Sequence, residues 1–209
     1  MSGQIALPLG WPPRQNEDAF LVTPSNERAA YLLDHWGAWP VMTALLTGPR
    51  KSGRTLLARI FAIKSGGTVI DDADRVPEEE LFHAWNAAQA ARRPLLLVAD
   101  AAPPVWEVAL PDLRSRLAAG IVADIGAPDD RLVHALLEAQ FARRGLDARA
   151  DLVDWLVPRL ERSHVAVMRA VDALDQEVLE TRKRLSVPLA RTTLAAAGLI
   201  ADLKRSEQP

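Results

Sequence analysis

The chain has 209 residues, a formal net charge of −2, 25% charged residues, no cysteine and a mean hydropathy of −0.02. The lack of cysteine removes disulfides, thiolate metal sites and thiol nucleophiles together. No apolar run approaches ~18 residues, which argues against a membrane span, and the slightly acidic balance lacks the basic excess that drives general or sequence-specific DNA binding. With no basic stretch leading into an apolar one near the start, the composition predicts a cytoplasmic protein with one good core or two modest units.

Residues 1–19 carry Gly3, Pro8, Gly10, Pro12 and Pro13, too many breakers for a helix or a central strand, so an extended tail is expected. Within it, Gln4-Ile5-Ala6-Leu7-Pro8-Leu9 puts aliphatic residues where there is no local core. Either Leu7 and Leu9 pack back on the domain, or the segment is a proline-stiffened docking peptide whose alternate side chains fill a partner's groove. Phe20-Leu21-Val22 follows, and then Ser25 or Asn26 is placed to cap a helix through Ala29, Ala30, Leu32, Leu33 and Trp36 that ends near Gly37. Residues 41–47 read as a buried strand between Pro40 and Gly48.

The next stretch, Gly48-Pro49-Arg50-Lys51-Ser52-Gly53-Arg54-Thr55, differs by one letter from a phosphate loop, Gly-x4-Gly-Lys-Ser/Thr. Such a loop between a strand and a helix points backbone N–H groups and the helix dipole at an anion. Gly48, Ser52, Gly53, Arg54 and Thr55 are the candidate phosphate contacts, and the Thr55 hydroxyl is the candidate magnesium ligand. Arg54 keeps the lysine's charge but brings a bulkier, planar fork.

After Ser65-Gly66-Gly67, a short strand from residue 68 runs into Asp71 and Asp72. A nucleotide hydrolase uses such acids to hold magnesium (Asp71) and orient the attacking water (Asp72). The competing reading is a strand ending in a solvated acidic turn. A helix over 77–91 opens with Glu78, Glu79 and Glu80, where acids suit the dipole. A third strand, 95–99, ends at Asp100, a phosphate sensor or a simple turn former. A short helix over 110–117 carries Arg114 and Arg116, and a strand follows at 121–125. This alternation predicts an α/β parallel sheet covered on both faces, with ligand sites at the carboxyl ends of its strands.

From residue 128 the strand pattern stops, and amphipathic runs over 129–144, 150–160, 164–183 and 189–199 predict a helical bundle. In the third run Val165, Met168, Val171, Leu174 and Val178 form the expected apolar stripe. The division expected is thus a tail (1–19), an α/β domain (20–127), a helical domain (128–200) and a fraying tail (201–209). His35, His83, His134 and His164 are too scattered for a metal site and read as helix-surface residues, His35 half-buried beside Trp36. The six tryptophans read as packing residues.

The order of these motifs resembles an AAA+ nucleotide-binding module with its helical lid, and the wording resembles the DnaA-related proteins of the Hda (HdaA) type, which regulate bacterial replication initiation. Phe20-Leu21-Val22 is similar to that family's entry motif beside the adenine pocket. Val69-Ile70-Asp71-Asp72-Ala73-Asp74 is similar to its acidic strand, Leu110-Pro111-Asp112-Leu113-Arg114-Ser115-Arg116-Leu117 to its signature helix, and Pro128-Asp129-Asp130 to its lid opening. The tail segment matches the family's sliding-clamp-binding peptide, Gln-Leu-x-Leu-Pro-Leu, with Ile5 for one leucine. The resemblance implies that Gln4, Ile5, Leu7, Pro8 and Leu9 dock on the DNA polymerase sliding clamp. It also implies that DnaA is the partner, and that Arg116 is a finger reaching the neighbouring subunit's phosphates; the motif leaves Arg114 open for that role and a homodimer open as an assembly.

Three features set the nucleotide chemistry apart. Arg54 stands at the lysine position of the loop. Only a few residues separate the loop helix from the acidic strand, so one edge strand and helix are expected to be missing. The lid helix reads Ser163-His164-Val165-Ala166-Val167, with Ala166 or Val165 where a sensor arginine is expected, and Arg162 and Arg169 out of register. The expectation is a clamp-tethered negative regulator that promotes hydrolysis of DnaA's ATP, with a degenerate site of its own for ADP or ATP with magnesium. The alternatives are a slow genuine ATPase using Arg54, Thr55, Asp71 and Asp72, or a nucleotide-free scaffold.

Overall fold

Strands β1 (Thr43–Thr47), β2 (Thr68–Ile70), β3 (Leu95–Val98) and β4 (Ile121–Asp124) form a parallel sheet in the order β2-β3-β1-β4, in a computed structural model that describes residues 20–200. The peptide Gln4-Ile5-Ala6-Leu7-Pro8-Leu9 and the two tails fall outside those residues. Every strand-to-strand connection carries a helix: α2 (Arg54–Ser65) between β1 and β2, α3 (Glu78–Ala91) between β2 and β3, and α4 (Pro111–Ala119) between β3 and β4. A parallel pair cannot be joined by a tight hairpin, which is why the sequence alternates as it does.

The side-chain period of two sorts the sheet into two apolar faces. Ala44, Leu46, Leu96, Val98 and Ala123 face Leu57, Ala58 and Phe61 of α2 and Ala29 and Leu33 of α1 (Glu27–Asp34). Leu45, Leu95 and Leu97 face Leu81 and Ala88 of α3 and Leu113 and Leu117 of α4. Because the central strands β1 and β3 are buried on both faces, they read as continuous apolar runs. Two of the tryptophans expected to pack are buried here: Trp39 stacks on Phe61 with ring centroids 5.4 Å apart and donates to the Leu32 carbonyl at 2.8 Å, and Trp106 is buried among the α3 and α4 residues. Trp36, Trp85 and Trp155 are half-buried, and Trp11 lies outside the described residues.

Sequence and structure part at α1. Asn26 occupies the N-cap but its side chain makes no cap hydrogen bond; Oδ1 accepts from the Thr23 N–H and Nδ2 donates to the Leu21 carbonyl, both at 2.8 Å. It ties residues 21–23 to the helix start instead. The helix also stops at Asp34, and Trp36–Ala38 form a 3-10 turn. His35 is exposed rather than half-buried, stacked on Tyr31.

β2 lies at an edge of the sheet, joined to α2 through Gly66 and Gly67. A Cβ on Gly67 would come within 2.5 Å of the Pro94 carbonyl oxygen, so this tight return needs a residue without a side chain. Gly48, just past β1, is similarly constrained: its φ is 146°, and a Cβ would meet both Cβ and the carbonyl oxygen of Ile125 at 2.8 Å. Gly48→Ala is therefore expected to cost about 2 kcal/mol or more in stability, read as a lowered thermal midpoint.

Residues 126–200 form a second unit of α5 (Asp130–Arg143), α6 (Ala150–Leu156), α7 (His164–Thr181) and α8 (Val187–Ala196), with residues 49–52 grouped to it and residues 20–48 and 53–125 making the first. Asp129 caps α5, accepting from the Leu132 N–H at 2.8 Å, and Ser163 caps α7, accepting from the Ala166 N–H at 3.0 Å. Val133, Leu137 and Phe141 of α5 meet Leu152, Val153 and Leu156 of α6, Val167, Ala170, Val171 and Leu174 of α7, and Ala190 and Leu194 of α8. The buried stripe of α7 is turned from the expected one: Val165, Met168 and Val178 lie half-buried at its margin, because α7 is packed from two sides, by α5 and α8.

The surface expectation fails for His164, which is 6% exposed at the start of α7 with Nδ1 unpartnered among the described residues. Burial holds its pKa below the ordinary 6.5, and the helix N-terminus also disfavours a cation. Its folded form therefore resists a proton that the unfolded chain accepts. Stability is at its full value above about pH 6.5 and falls as the pH drops from there toward the folded-state pKa. Thermal midpoints at pH 7.5 and 5.5 are expected to differ less for His164→Gln than for the wild-type chain.

Candidate nucleotide site

Because the strands are parallel, their carboxyl ends share one edge of the sheet, and three predicted site segments follow from it: Gly48 after β1, Asp71 after β2 and Asp100 after β3. Gly53, left-handed at φ 88°, occupies the N-cap of α2, and a Cβ there would lie 3.2 Å from the Phe20 ring. Phe20 of the Phe20-Leu21-Val22 segment thus lies against the loop; Leu21 is exposed and Val22 half-buried. Ser52 is buried and its hydroxyl lacks a partner among the described residues.

Arg54, the first residue of α2, turns its guanidinium to the end of β3. Nη1 donates to the Ala99 carbonyl, and Nη2 donates to Asp100 Oδ1 at 2.6 Å. The Arg54 side chain is only 14% accessible, so this charge-assisted pair is less screened than a surface one. Arg75 completes the network, 3.6 Å from the other Asp100 oxygen and 3.7 Å from Asp72 Oδ1. Thr55 Oγ1 donates to Asp71 Oδ2 at 3.1 Å, while Asp71 Oδ1 accepts the Asp72 N–H at 3.0 Å. Asp72 itself is left-handed, φ 48°, and opens a 3-10 turn over Ala73–Arg75, a conformation aspartate tolerates better than most residues.

These residues fit a nucleotide's phosphates on the backbone side. The glycine cradle and the start of α2 offer N–H groups, and the Thr55–Asp71 pair suits magnesium, which takes few protein ligands beside phosphate oxygens and water. No cluster of three or more His, Asp or Glu among the described residues could hold a metal by itself. The Arg54 charge is already committed: a phosphate reaching for it must compete with the Asp100 carboxylate, and two anions at one cation repel.

Of the two lid positions where a sensor arginine is expected, Ala166 is buried in the bundle and Val165 half-buried; Arg162 pairs with Asp130 in the same unit, and Arg169 is exposed.

The candidate fingers lie elsewhere in the first unit. Arg114 donates through Nε and Nη2 to the Val108 carbonyl at 3.0 and 2.6 Å. Arg116 Nη1 donates to Asn86 Oδ1, and its guanidinium carbon lies 4.2 Å from the Phe82 ring centroid and 4.5 Å from that of Trp85. Glu78, expected only to suit the helix dipole, instead accepts the Ala109 and Leu110 N–H groups at 2.7 and 2.6 Å. Those two bonds, with Arg114 nearby, hold its carboxyl below the ordinary carboxylate range. Sequence reasoning missed Glu78, Phe82, Trp85 and Asn86 as a group; their i, i+4, i+7, i+8 spacing marks one face of a helix.

Residues 129–194 match the family model described as Hda, lid domain. An uncharacterized protein of Haemophilus influenzae is 30% identical over 118 residues, covering 56% of this chain and 51% of that one. The chromosomal replication initiator protein DnaA of Sphingopyxis alaskensis is 30% identical over 119 residues, 56% of this chain and 26% of DnaA. The match thus spans about half the length of the first relative and about a quarter of the second. Among solved structures, domain III of Thermotoga maritima DnaA superposes with a TM-score of 0.71 at 16% identity, over 91% of this chain and 100% of that one. AMPPCP-bound DnaA from Aquifex aeolicus superposes with a TM-score of 0.59 at 17% identity, over 78% of this chain and 64% of that one. The first unit has the parallel sheet flanked by helices of these structures, and residues 129–194 of the second carry the sequence that the Hda lid model matches.

Proposed function

We propose that this chain is a cytoplasmic negative regulator of replication initiation, which docks on the sliding clamp through Gln4, Ile5, Leu7, Pro8 and Leu9 and completes the ATP site of DnaA with Arg116. The observation that carries this reading is the state of Arg54. The side chain at the loop's lysine position, Arg54, is bound to Ala99 and Asp100, while Arg116, on α4, is held against α3 by Phe82, Trp85 and Asn86. A chain that neutralises its own loop cation is poorly equipped to hydrolyse ATP and can still supply a cation to a neighbour, where such a finger is a large electrostatic contribution.

ADP or ATP with magnesium, if bound, would be held by the N–H groups around Gly53 to Thr55, with Thr55 and Asp71 on the metal and Phe20 near the base. The nucleotide would supply its phosphate charge to the start of α2, and the chain's residues would bind and orient it. The retained Thr55–Asp71 pair favours a second reading, slow intrinsic hydrolysis, in which Asp72→Ala would abolish turnover. Absence of ADP and ATP binding in calorimetry would point instead to a scaffold.

The deciding measurement is ATP hydrolysis by DnaA with clamp loaded on DNA. Stimulation by this chain is expected, and it should be lost when residues 1–9 are removed or Gln4 is replaced by alanine, in parallel with loss of the clamp in pull-downs. Unchanged clamp capture by both variants would remove the tail from the proposal.

A further inference from the structure

One face of α3 grips α4 at two levels. At the start of α3, the Glu78 carboxylate takes both N–H groups of residues 109–110, immediately before Pro111 opens α4. Arg114 closes the same segment through the Val108 carbonyl. One and two turns along, Phe82 and Trp85 put their rings 4.2 and 4.5 Å from the Arg116 guanidinium carbon, and Asn86 accepts one of its N–H groups. Both centroids lie inside the ~6 Å range of a cation–π contact, where a tryptophan ring is the stronger partner.

We infer that Trp85 and Glu78, with Phe82 and Asn86, are positioning residues for Arg116: Glu78 fixes the origin of the helix that carries it, and the Phe82–Trp85 cradle fixes its tip. A free arginine side chain holds ~2 kcal/mol of rotamer entropy, which a finger must surrender when it reaches a phosphate. A guanidinium already ordered on two rings has surrendered part of it beforehand. Asn86 uses one of five N–H donors, so donors remain for a phosphate oxygen. The Trp85 indole N–H has no partner among the described residues; the ring face, rather than its donor, makes the contact with Arg116.

This inference rests on Arg116 being the finger, and two separate readouts keep the ideas apart. The first is the rate of phenylglyoxal modification at Arg116, followed by peptide mass spectrometry against exposed Arg149 in the same molecule. Trp85→Leu, which keeps an apolar side chain but no π face, is expected to speed the reaction at Arg116 about five-fold, and Trp85→Phe to return it near the wild-type rate. The second is clamp-dependent hydrolysis by DnaA. Trp85→Leu should lower the maximal stimulated rate about five-fold at an unchanged half-saturating concentration, again with rescue by Trp85→Phe. Glu78→Gln, a substitution at a half-buried position that keeps the side chain's size and removes one of the paired acceptor oxygens, should move both readouts the same way and stands in if Trp85→Leu does not fold.

Unchanged modification at Arg116 in both variants overturns the cradle. Faster modification with full stimulation, while Arg116→Ala is inactive, overturns its positioning role and leaves the finger in place. Full stimulation by Arg116→Ala overturns the finger itself, and with it this inference.

Discussion

Arg116→Ala is expected to lower clamp-dependent stimulation of DnaA hydrolysis on the order of 10³-fold, the scale of an arginine finger supplied in trans. The Arg116 side chain, on α4, is half-buried against α3, so loss of the finger is to be told apart from misfolding. The thermal midpoint separates the two causes. Arg116 contributes two ring contacts and one hydrogen bond, and their removal is expected to cost about 1–2 kcal/mol, too little to unfold the domain. Clamp capture should be unaffected, since the tail peptide is a separate segment. Arg114→Ala is the companion measurement: its guanidinium is spent on the Val108 carbonyl, so stimulation should fall far less than for Arg116→Ala. Equal losses in the two variants would contradict the assignment of the finger to Arg116.

Phe141→Ala is expected to destabilise the lid by about 3–5 kcal/mol, the range for emptying a buried aromatic site. Phe141 is 1% exposed among Leu137, Leu152, Leu156 and the residues of α7. Four short helices with a single apolar core have little to spare against a total domain stability of about 5–15 kcal/mol. At roughly 2–4 °C per kcal/mol for a chain of this size, the midpoint should drop by about 10 °C. Leu179, 67% exposed on α7, is the control, with Leu179→Ala expected to stay within about 0.5 kcal/mol. Since the lid carries the family match, loss of stimulation in Phe141→Ala at a temperature where the first unit remains folded would assign the lid a part in partner recognition.

What was legible beforehand follows from how far apart the deciding residues lie. The strands β1 and β3 announce themselves as unbroken apolar runs, and α5 and α7 as amphipathic runs, because those signals are local. The line of α7's buried face was missed by a fraction of a turn, and His164 with it, since two neighbours press on that helix and only their positions say which residues they cover. Asn26 shows the same limit at small scale: its type marks a helix start, but the backbone of residues 21–23 competed for its side chain and won.

The sequence by itself determined the α/β alternation, the helical lid and the phosphate-loop ancestry, because periodicity, capping residues and motif spacing act over one element or two. Only the tertiary structure decided what the charged residues do. Arg54 and Asp100 are 46 positions apart in the chain, and no local rule joins them; the parallel β1–β3 pairing brings the loop and the end of β3 to the same edge. Arg116 and Asn86, 30 positions apart, meet because α3 and α4 cover the same sheet face. Electrostatic and cation–π contacts depend on distance in space, so the commitment of one arginine and the cradling of another could be read only after the chain had folded.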